Sequence, residues 1–263
     1  MCGRYVATKD VDGLLKMFVV DERDPRAKAG TPSSDVHVTW TGEANYNVAP
    51  TDQVPAIVRH EDDLALTKFR WGLVPFWAKD LKVGARMINA RSESITTKSA
   101  FAESFERRRC LLPADGFYEW QKADRARLPW FVARSDGEPM VFAGIWSSWR
   151  DRGEPQAERV LTCSILTTTA NDVIRPIHDR MPVVLDRADW DTWLDPQADP
   201  ETLTQLLTPA DDDAISRYRV STRVNSVANN DPTLVDPLPA QQPDLVGPGH
   251  PSTMVEGAQQ SLF

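Results

Sequence analysis

Seven short runs of apolar, β-branched and aromatic residues constrain the fold more than any other feature of the chain. They cover residues 63–75, 110–112, 116–120, 130–133, 140–149, 160–168 and 181–185. Each has the length and composition of a β-strand, and Pro75 ends the first. Helical spacing of apolar residues is restricted to residues 11–20, 99–108, 188–194 and 200–207. Strands clustered between flanking helices predict an α+β fold rather than a doubly wound sheet.

The composition supports a globular chain with a substantial core. Of the 263 residues, 41% are hydrophobic and 26% are charged, which excludes wholesale disorder, collagen and coiled coil. No apolar run approaches the ~20 residues of a membrane helix, and the N-terminus lacks a signal-peptide pattern. We therefore expect a cytoplasmic monomer without membrane contact. Three cysteines are too few for a disulfide framework and are expected to be reduced thiols.

Two segments differ in composition from the rest. Residues 23–44 are rich in Asp, Pro, Gly, Ser and Thr and predict a long surface loop. The chain from Pro237 onward is rich in Pro, Gln and Gly and predicts a disordered tail. We expect one domain over residues 1–238 and a flexible tail over residues 239–263.

The charge is unevenly distributed, although the formal net charge is −8. Residues 70–134 carry 13 basic and 7 acidic residues, whereas residues 186–263 carry 4 basic and 13 acidic residues. Tryptophans interleave with the basic residues of the first stretch, as expected where bases stack and phosphates are neutralised. The alternative is that these tryptophans belong to the core and the charges are ordinary solvated ones.

Several kinds of chemistry are not expected. Four histidines without a C-x-x-C or H-E-x-x-H pattern make a zinc site unexpected. The glycine-rich phosphate-binding patterns of dinucleotide and NTP enzymes are also missing. We expect neither a metal nor a cofactor.

Cys2 is the most informative single residue. A small second residue normally allows Met1 to be removed, and the chain would then begin with cysteine. The α-amine has a reference pKa of about 7.7–8.0 and the thiol of about 8.5, so both are partly reactive at neutral pH. Such an aminothiol condenses with an aldehyde through an imine to a five-membered thiazolidine. The alternative is an incidental cysteine beside a frayed terminus.

Three further residues are candidates for the same site. Asn89 lies in an Asn-x-Arg pattern and can orient an amine or a sugar hydroxyl. Glu119 shares a strand face with Phe117, and a carboxyl in apolar surroundings tends to have a raised pKa suited to proton transfer. His178 lies beside charged residues and is the natural second acid or base. Each residue also has a structural interpretation: Asn89 as the cap of a turn, Glu119 as the partner of an arginine, and His178 as a histidine bonded to the backbone.

Six motifs together resemble the SRAP family, the SOS-response-associated peptidase-like proteins that process abasic sites. The motifs are Met-Cys-Gly-Arg-Tyr at 1–5, Tyr-Asn-Val-Ala-Pro at 46–50, Trp-Gly-Leu-Val-Pro at 71–75, Ile-Asn-Ala-Arg-Ser-Glu at 88–93, Ala-Asp-Gly-Phe-Tyr-Glu-Trp at 114–120 and Ile-His-Asp-Arg-Met-Pro at 177–182. They occur in order between residue 2 and about residue 238. The resemblance implies an α+β fold around a curved, barrel-like antiparallel sheet.

The resemblance also implies an activity. Cys2, freed by removal of Met1, would trap the aldehyde of a ring-opened abasic site in single-stranded DNA as a thiazolidine cross-link. Asn89 would position the amine and sugar, Glu119 would move protons, and His178 would assist sugar ring opening. Strand cleavage through the imine and reversal of the cross-link would use the same groups. Peptidase activity would amount to self-processing, and the protein would act at the nucleoid during replication or repair.

By the same resemblance, a further set of residues is expected to contact DNA phosphates, sugars or bases. They are Arg4, Asn47, Pro50, Trp71, Arg86, Arg91, Trp120, Thr167 and Arg180. The last five residues separately resemble the Gln-x-x-Leu-Phe peptide that docks on the bacterial sliding clamp. Gln259 would make polar contacts while Leu262 and Phe263 fill an apolar pocket. An inert tail is the alternative.

Two other functions remain open from the residues. Glutamine amidotransferases of one class also begin Met-Cys-Gly and use the α-amine as the base for the thiol. An N-terminal-nucleophile amidohydrolase is therefore the competing enzyme, although it requires a glutamine pocket and usually a synthase domain. A non-catalytic single-stranded DNA-binding module is the third alternative.

Overall fold

The computed structural model describes residues 2–19, 37–60, 63–123, 126–154 and 156–239. The strands are β1 (Arg4–Ala7), β2 (His37–Val38), β3 (Asn45–Val48), β4 (Gln53–His60), β5 (Asp63–Trp71), β6 (Asn89–Arg91), β7 (Arg109–Ala114), β8 (Gly116–Ala123), β9 (Ala126–Arg134), β10 (Met140–Trp149), β11 (Val160–Thr169), β12 (Arg180–Pro182) and β13 (Ile215–Arg219). The α-helices are α1 (Val11–Val19), α2 (Ala102–Arg107), α3 (Trp190–Leu194) and α4 (Pro200–Gln205). Short 3-10 helices are Leu81–Arg86, Ser92–Ser94, Arg187–Asp189, Asp212–Ala214, Thr222–Asn225 and Pro232–Val235.

Five strands close into a ring in the order β11-β10-β7-β4-β5 and back to β11. Four of the five pairings are antiparallel, and the closing pair of β5 with β11 is parallel. A ring with an odd number of strands cannot alternate direction all the way round, so one parallel pair is unavoidable. The predicted α+β class with a barrel-like core is confirmed, although the sheet is not fully antiparallel: β2 with β5 and β6 with β11 are also parallel pairs.

The interior of the ring is filled by one apolar cluster to which all five ring strands contribute. Small side chains such as Ala56, Ala65 and Cys110 leave room at its centre for side chains from outside the ring. Cys2 and Tyr5 occupy part of that room, and both are fully buried. The N-terminal segment therefore contributes two buried side chains to the interior cluster of the barrel.

The outer surface of the ring is covered by the helices. Leu14 of α1, Phe105 of α2, Trp193 of α3 and Leu203 of α4 join a second cluster of buried side chains. Both faces of the ring strands therefore contribute buried apolar side chains, one to the interior and the other to this outer layer. No helix in the described ranges is long and apolar enough to cross a membrane.

A second, antiparallel sheet with the order β13-β9-β8-β1-β3 packs against the barrel. Its two faces bury different groups because successive side chains of a strand point to opposite sides. Phe117 and Val132 point into the barrel cluster, whereas Tyr118 and Phe131 point into a separate cluster. Glu119 shares the face of Phe117, as predicted from strand alternation.

The predicted strands and helices correspond to observed elements, with shifted ends. The clearest omission is β4, which carries Pro55 inside the strand and therefore does not resemble a central strand. The predicted strand at 181–185 is shortened to Arg180–Pro182. The peptide at 259–263, the predicted tail from residue 240 onward and most of the loop at 23–44 lie outside the described residues.

Candidate active site

Cys2 lies at the base of the site, with no exposed surface. Its Sγ is 3.9 Å from the carbonyl oxygen of Arg4. Burial raises the pKa of the Cys2 thiol well above its usual value, and the negative charge of Glu119 raises it further. The thiol is therefore neutral at pH 7, and a reaction at sulfur needs a base to accept its proton.

Asn89 is bound directly to the backbone of Cys2. Its side-chain Nδ2 donates a hydrogen bond of 2.7 Å to the Cys2 carbonyl oxygen. Within the described residues its buried Oδ1 has no hydrogen-bond partner, so it can accept a bond from an amine or a hydroxyl. The geometry agrees with the predicted placement of Asn89 beside the N-terminal segment.

Trp71 fixes the start of the strand that carries Asn89. Its indole Nε1 donates a hydrogen bond of 2.9 Å to the carbonyl of Ile88, and its ring packs edge-on against Tyr5 with centroids 5.1 Å apart. The ring is fully buried and has no face on which a base can stack. Trp71 therefore contacts the residue before Asn89 within the protein, and its expected contact with DNA stays a prediction.

Glu119 lies within electrostatic range of the Cys2 sulfur, and it is only 4% exposed. Its Oε1 accepts a 3.2 Å hydrogen bond from the backbone N–H of Trp120. Strand pairing places Arg4 opposite Tyr118, so the segment that carries Cys2 runs alongside the strand that carries Glu119. This carboxylate is the charged group that the fold brings next to the thiol.

His178 ends the loop between β11 and β12. Its Nδ1 accepts a 3.0 Å hydrogen bond from the backbone N–H of Arg180, and it lies 2.9 Å from Oδ1 of Asp179. The first contact requires Nδ1 without a proton and the second requires Nδ1 with one, so the two contacts belong to different tautomers or protonation states of the ring.

The loop of His178 is attached to the strand of Glu119. The side chain of Gln121, on the same face as Glu119, donates a 3.3 Å hydrogen bond to the carbonyl of Pro176. The strand β11 that leads into this loop also pairs with β6 through Ile165 and Asn89. The loop of His178 is therefore tied to the strand of Glu119 by Gln121 and to the strand of Asn89 through β11.

Arg180 and Thr167 belong to an internal network of hydrogen bonds and one ion pair. Nη1 and Nη2 of Arg180 donate to the two carboxylate oxygens of Glu93, and Nη2 also donates to the Thr167 carbonyl at 2.6 Å. Thr167 is fully buried and Arg180 nearly so. These contacts lie within the protein, and the expected contacts of both residues with DNA stay predictions. Glu93 lies in one of the quoted motifs, and nothing in that motif predicts this ion pair.

Glu93→Gln should make the protein less stable by about 1 kcal/mol, since the carboxylate that pairs with Arg180 is half exposed and screened by solvent. Hydrogen bonding from Arg180 lowers the pKa of Glu93. A lowered folded-state pKa stabilises the protein above the unfolded value of about 4.3, and that contribution is lost as the pH falls through the folded value. Thermal unfolding at a series of pH values should show the difference at neutral pH and its disappearance in acid.

The control for this prediction is Asp172→Asn, which removes the carboxylate of an exposed ion pair with Arg175. This variant should unfold like the wild type at every pH. A difference between Glu93→Gln and wild type that persists unchanged in acid would show that the Glu93 charge is not its source.

Arg4, Asn47 and Trp120 form a second internal group. Arg4 donates to Asn47 Oδ1 at 2.6 Å and to the Val224 carbonyl at 3.0 Å, and its guanidinium lies 5.8 Å from the Trp120 ring centroid. Asn47 is buried and donates to the carbonyls of Ser226 and Asn229. The amide of Asn47 thus holds the segment after β13, and its expected contact with DNA stays a prediction.

The remaining predicted DNA contacts lie at the surface. Arg86 and Arg91 are exposed on either side of Asn89, and Pro50 is partly exposed in the turn before Thr51. Phe76 and Trp77 are both about half exposed, unlike Trp71 in the same stretch. The interleaved aromatic and basic residues of the sequence are therefore divided between the core and the surface.

The fold and the site define a β-barrel protein in which the second residue, a cysteine, is held beside an amide and a carboxylate. The family model for SRAP, the SOS response associated peptidase, matches residues 1–227. The chain belongs to the SRAP family, as the six motifs predicted.

Individual relatives agree with this assignment. The chain is 37% identical over 238 residues to the Abasic site processing protein YoqW of Bacillus subtilis (strain 168), covering 90% of this chain and 99% of the relative. It is 29% identical over 245 residues to the Abasic site processing protein YedK of Escherichia coli (strain K12), covering 90% and 100%. A crystal structure of a protein from Bacteroides thetaiotaomicron matches in fold, with a TM-score of 0.76 at 24% identity, over 90% of this chain and all of that one.

Proposed function

We propose that the protein senses abasic sites in single-stranded DNA and shields them by cross-linking itself to the damaged sugar through Cys2. The observation that carries the proposal is the hydrogen bond between Asn89 and the Cys2 backbone, next to the buried carboxylate of Glu119. Relatives named abasic site processing proteins support it. DNA containing abasic sites is accordingly the partner, and no cofactor is required.

The reaction begins with the removal of Met1, which converts the Cys2 nitrogen from an amide to a free amine. The ring-opened abasic sugar presents a C1′ aldehyde, and the amine adds to it and expels water to give an imine. His178 assists ring opening by moving a proton at the sugar oxygen. Asn89 holds the Cys2 backbone so that the amine and the aldehyde meet in one orientation.

Ring closure follows from the neighbouring thiol. The Cys2 sulfur adds to the imine carbon, its proton passes through Glu119, and the ring nitrogen receives a proton. The net change is the loss of one water, and no oxidant or reductant is needed. Because each step is reversible, the same groups can open the ring, and the imine also permits lyase-like strand cleavage.

The test of this function uses an oligonucleotide from which uracil has been excised, and glutamine in a parallel reaction. We expect an adduct that survives denaturing electrophoresis, and no ammonia from glutamine. Ammonia release without an adduct would instead identify an N-terminal-nucleophile amidohydrolase. Binding without either product would identify a non-catalytic DNA-binding module.

We also propose that residues 1–238 form the processing domain and that the tail carries a clamp-binding peptide. Gln259, Leu262 and Phe263 support the second part by their spacing alone. Deleting residues 259–263 should abolish capture by the replicative sliding clamp in a pull-down and leave adduct formation unchanged. Undiminished capture would contradict the clamp proposal.

A further inference from the structure

A row of three side chains crosses the second sheet from the candidate active site to its edge. Glu119 of β8 is directly opposite Trp130 of β9, and Trp130 is directly opposite Arg219 of β13. Directly paired residues of antiparallel strands share a face, so all three point to the side of the sheet that also carries Phe117. That face is apolar at Phe117, where it packs on the barrel, and it carries charged side chains at Glu119 and at Arg219.

The edge of this face holds two guanidinium groups against one indole ring. Arg217 lies 4.7 Å and Arg219 lies 5.6 Å from the ring centroid of Trp130. The ring itself is fixed because its Nε1 donates a 3.2 Å hydrogen bond to Gln121, the residue that also holds the loop of His178. We call Trp130, Arg217 and Arg219 the Trp130 strip.

The Trp130 strip carries positive charge that the described part of the protein does not neutralise. Neither Arg217 nor Arg219 forms a side-chain hydrogen bond or an ion pair with another described residue, and Nε of Arg219 is buried without a partner there. The chain has a net charge of −8, yet no acidic residue of the described ranges forms an ion pair with either guanidinium. Two adjacent like charges repel each other, and an anion bound between them relieves that repulsion.

We propose that the Trp130 strip binds backbone phosphates of the single-stranded DNA that flanks the abasic nucleotide, an inference that rests on the proposed function. Strands in a sheet are about 4.8 Å apart, so Arg219 lies about 10 Å from Glu119 across two strand spacings. That distance suits a phosphate near the damaged sugar rather than the sugar itself. Arg stacked on an aromatic ring keeps its N–H edge free for phosphate oxygens.

The test measures binding separately from cross-linking. The probe is a single-stranded oligonucleotide with a tetrahydrofuran abasic analogue, which cannot form the aldehyde. Arg217→Gln with Arg219→Gln should weaken binding about tenfold near 0.1 M salt and reduce the salt slope of log K by about 1.4, or about 0.7 for each phosphate. Arg217→Lys with Arg219→Lys keeps both charges and should keep most of the slope, which separates lost charge from lost folding.

The matched control is Lys16→Gln with Arg107→Gln, which removes two exposed charges from the helix-covered side. It should bind within about twofold of wild type. If the Gln pair on the strip behaves like this control in affinity and salt slope, the strip proposal is wrong even though wild type forms the adduct. If wild type forms no adduct on a reactive abasic site but binds the analogue through the strip, the proposed chemistry is wrong and the strip stands.

Discussion

Replacing Cys2 with alanine should abolish the proposed adduct that withstands denaturing electrophoresis, an expected loss of at least about a hundredfold. The variant still has a small second residue, so Met1 is removed and a free amine remains. That amine can form only the reversible imine, because no sulfur is present to close the ring. Quantifying adduct with and without borohydride should therefore show that the reductant restores a covalent band.

The control thiol for this prediction is Cys163, which is also fully buried and whose pKa is also raised by burial. Cys163→Ala should form the adduct within about twofold of wild type, since the cysteine lies on β11 and has no free amine beside it. An adduct of undiminished yield and heat stability from Cys2→Ala would contradict the account.

Glu119→Gln should reduce the single-turnover rate of adduct formation by about 10²- to 10⁴-fold, the range that a positioned acid–base group contributes. Glutamine preserves the shape of the side chain and its ability to accept from the Trp120 N–H, but it cannot take the thiol proton. Because burial raises the pKa of Cys2, no preformed thiolate compensates for the missing base. The rate is measured at saturating DNA so that it reports chemistry rather than binding.

The affinity of Glu119→Gln for the tetrahydrofuran oligonucleotide should equal that of wild type, because the residue acts on protons in the reaction. Glu138→Gln, in an exposed turn, is the matched control and should change neither affinity nor rate. A Glu119→Gln rate within a few-fold of wild type would remove Glu119 from the reaction and leave it a structural residue.

Local patterns in the sequence predicted much of the fold. Alternation along β8 correctly put Glu119 on the face of Phe117, since the period of a strand is fixed by its backbone. The parallel closing pair of β5 with β11 joins segments about ninety residues apart and has no local signal. The strand around Pro55 was missed because proline does not indicate a strand interior.

The site was predicted less completely for a related reason. Motifs identify residue types, but they do not show which side chains form contacts within the protein. Trp71 is buried and bonded to the Ile88 carbonyl, and Arg180 is paired with Glu93, and neither contact has a signal in the motifs. Conversely, Arg219 belongs to no motif and faces Trp130 only because two distant strands pair.

The most direct test of the central claim is the mass of the purified adduct together with the identity of the cross-linked peptide. The account predicts the mass of the chain without Met1 plus that of the DNA less one water, with the sugar attached to the N-terminal peptide at Cys2. An adduct that retains Met1, or one whose sugar is attached to a lysine, would contradict it.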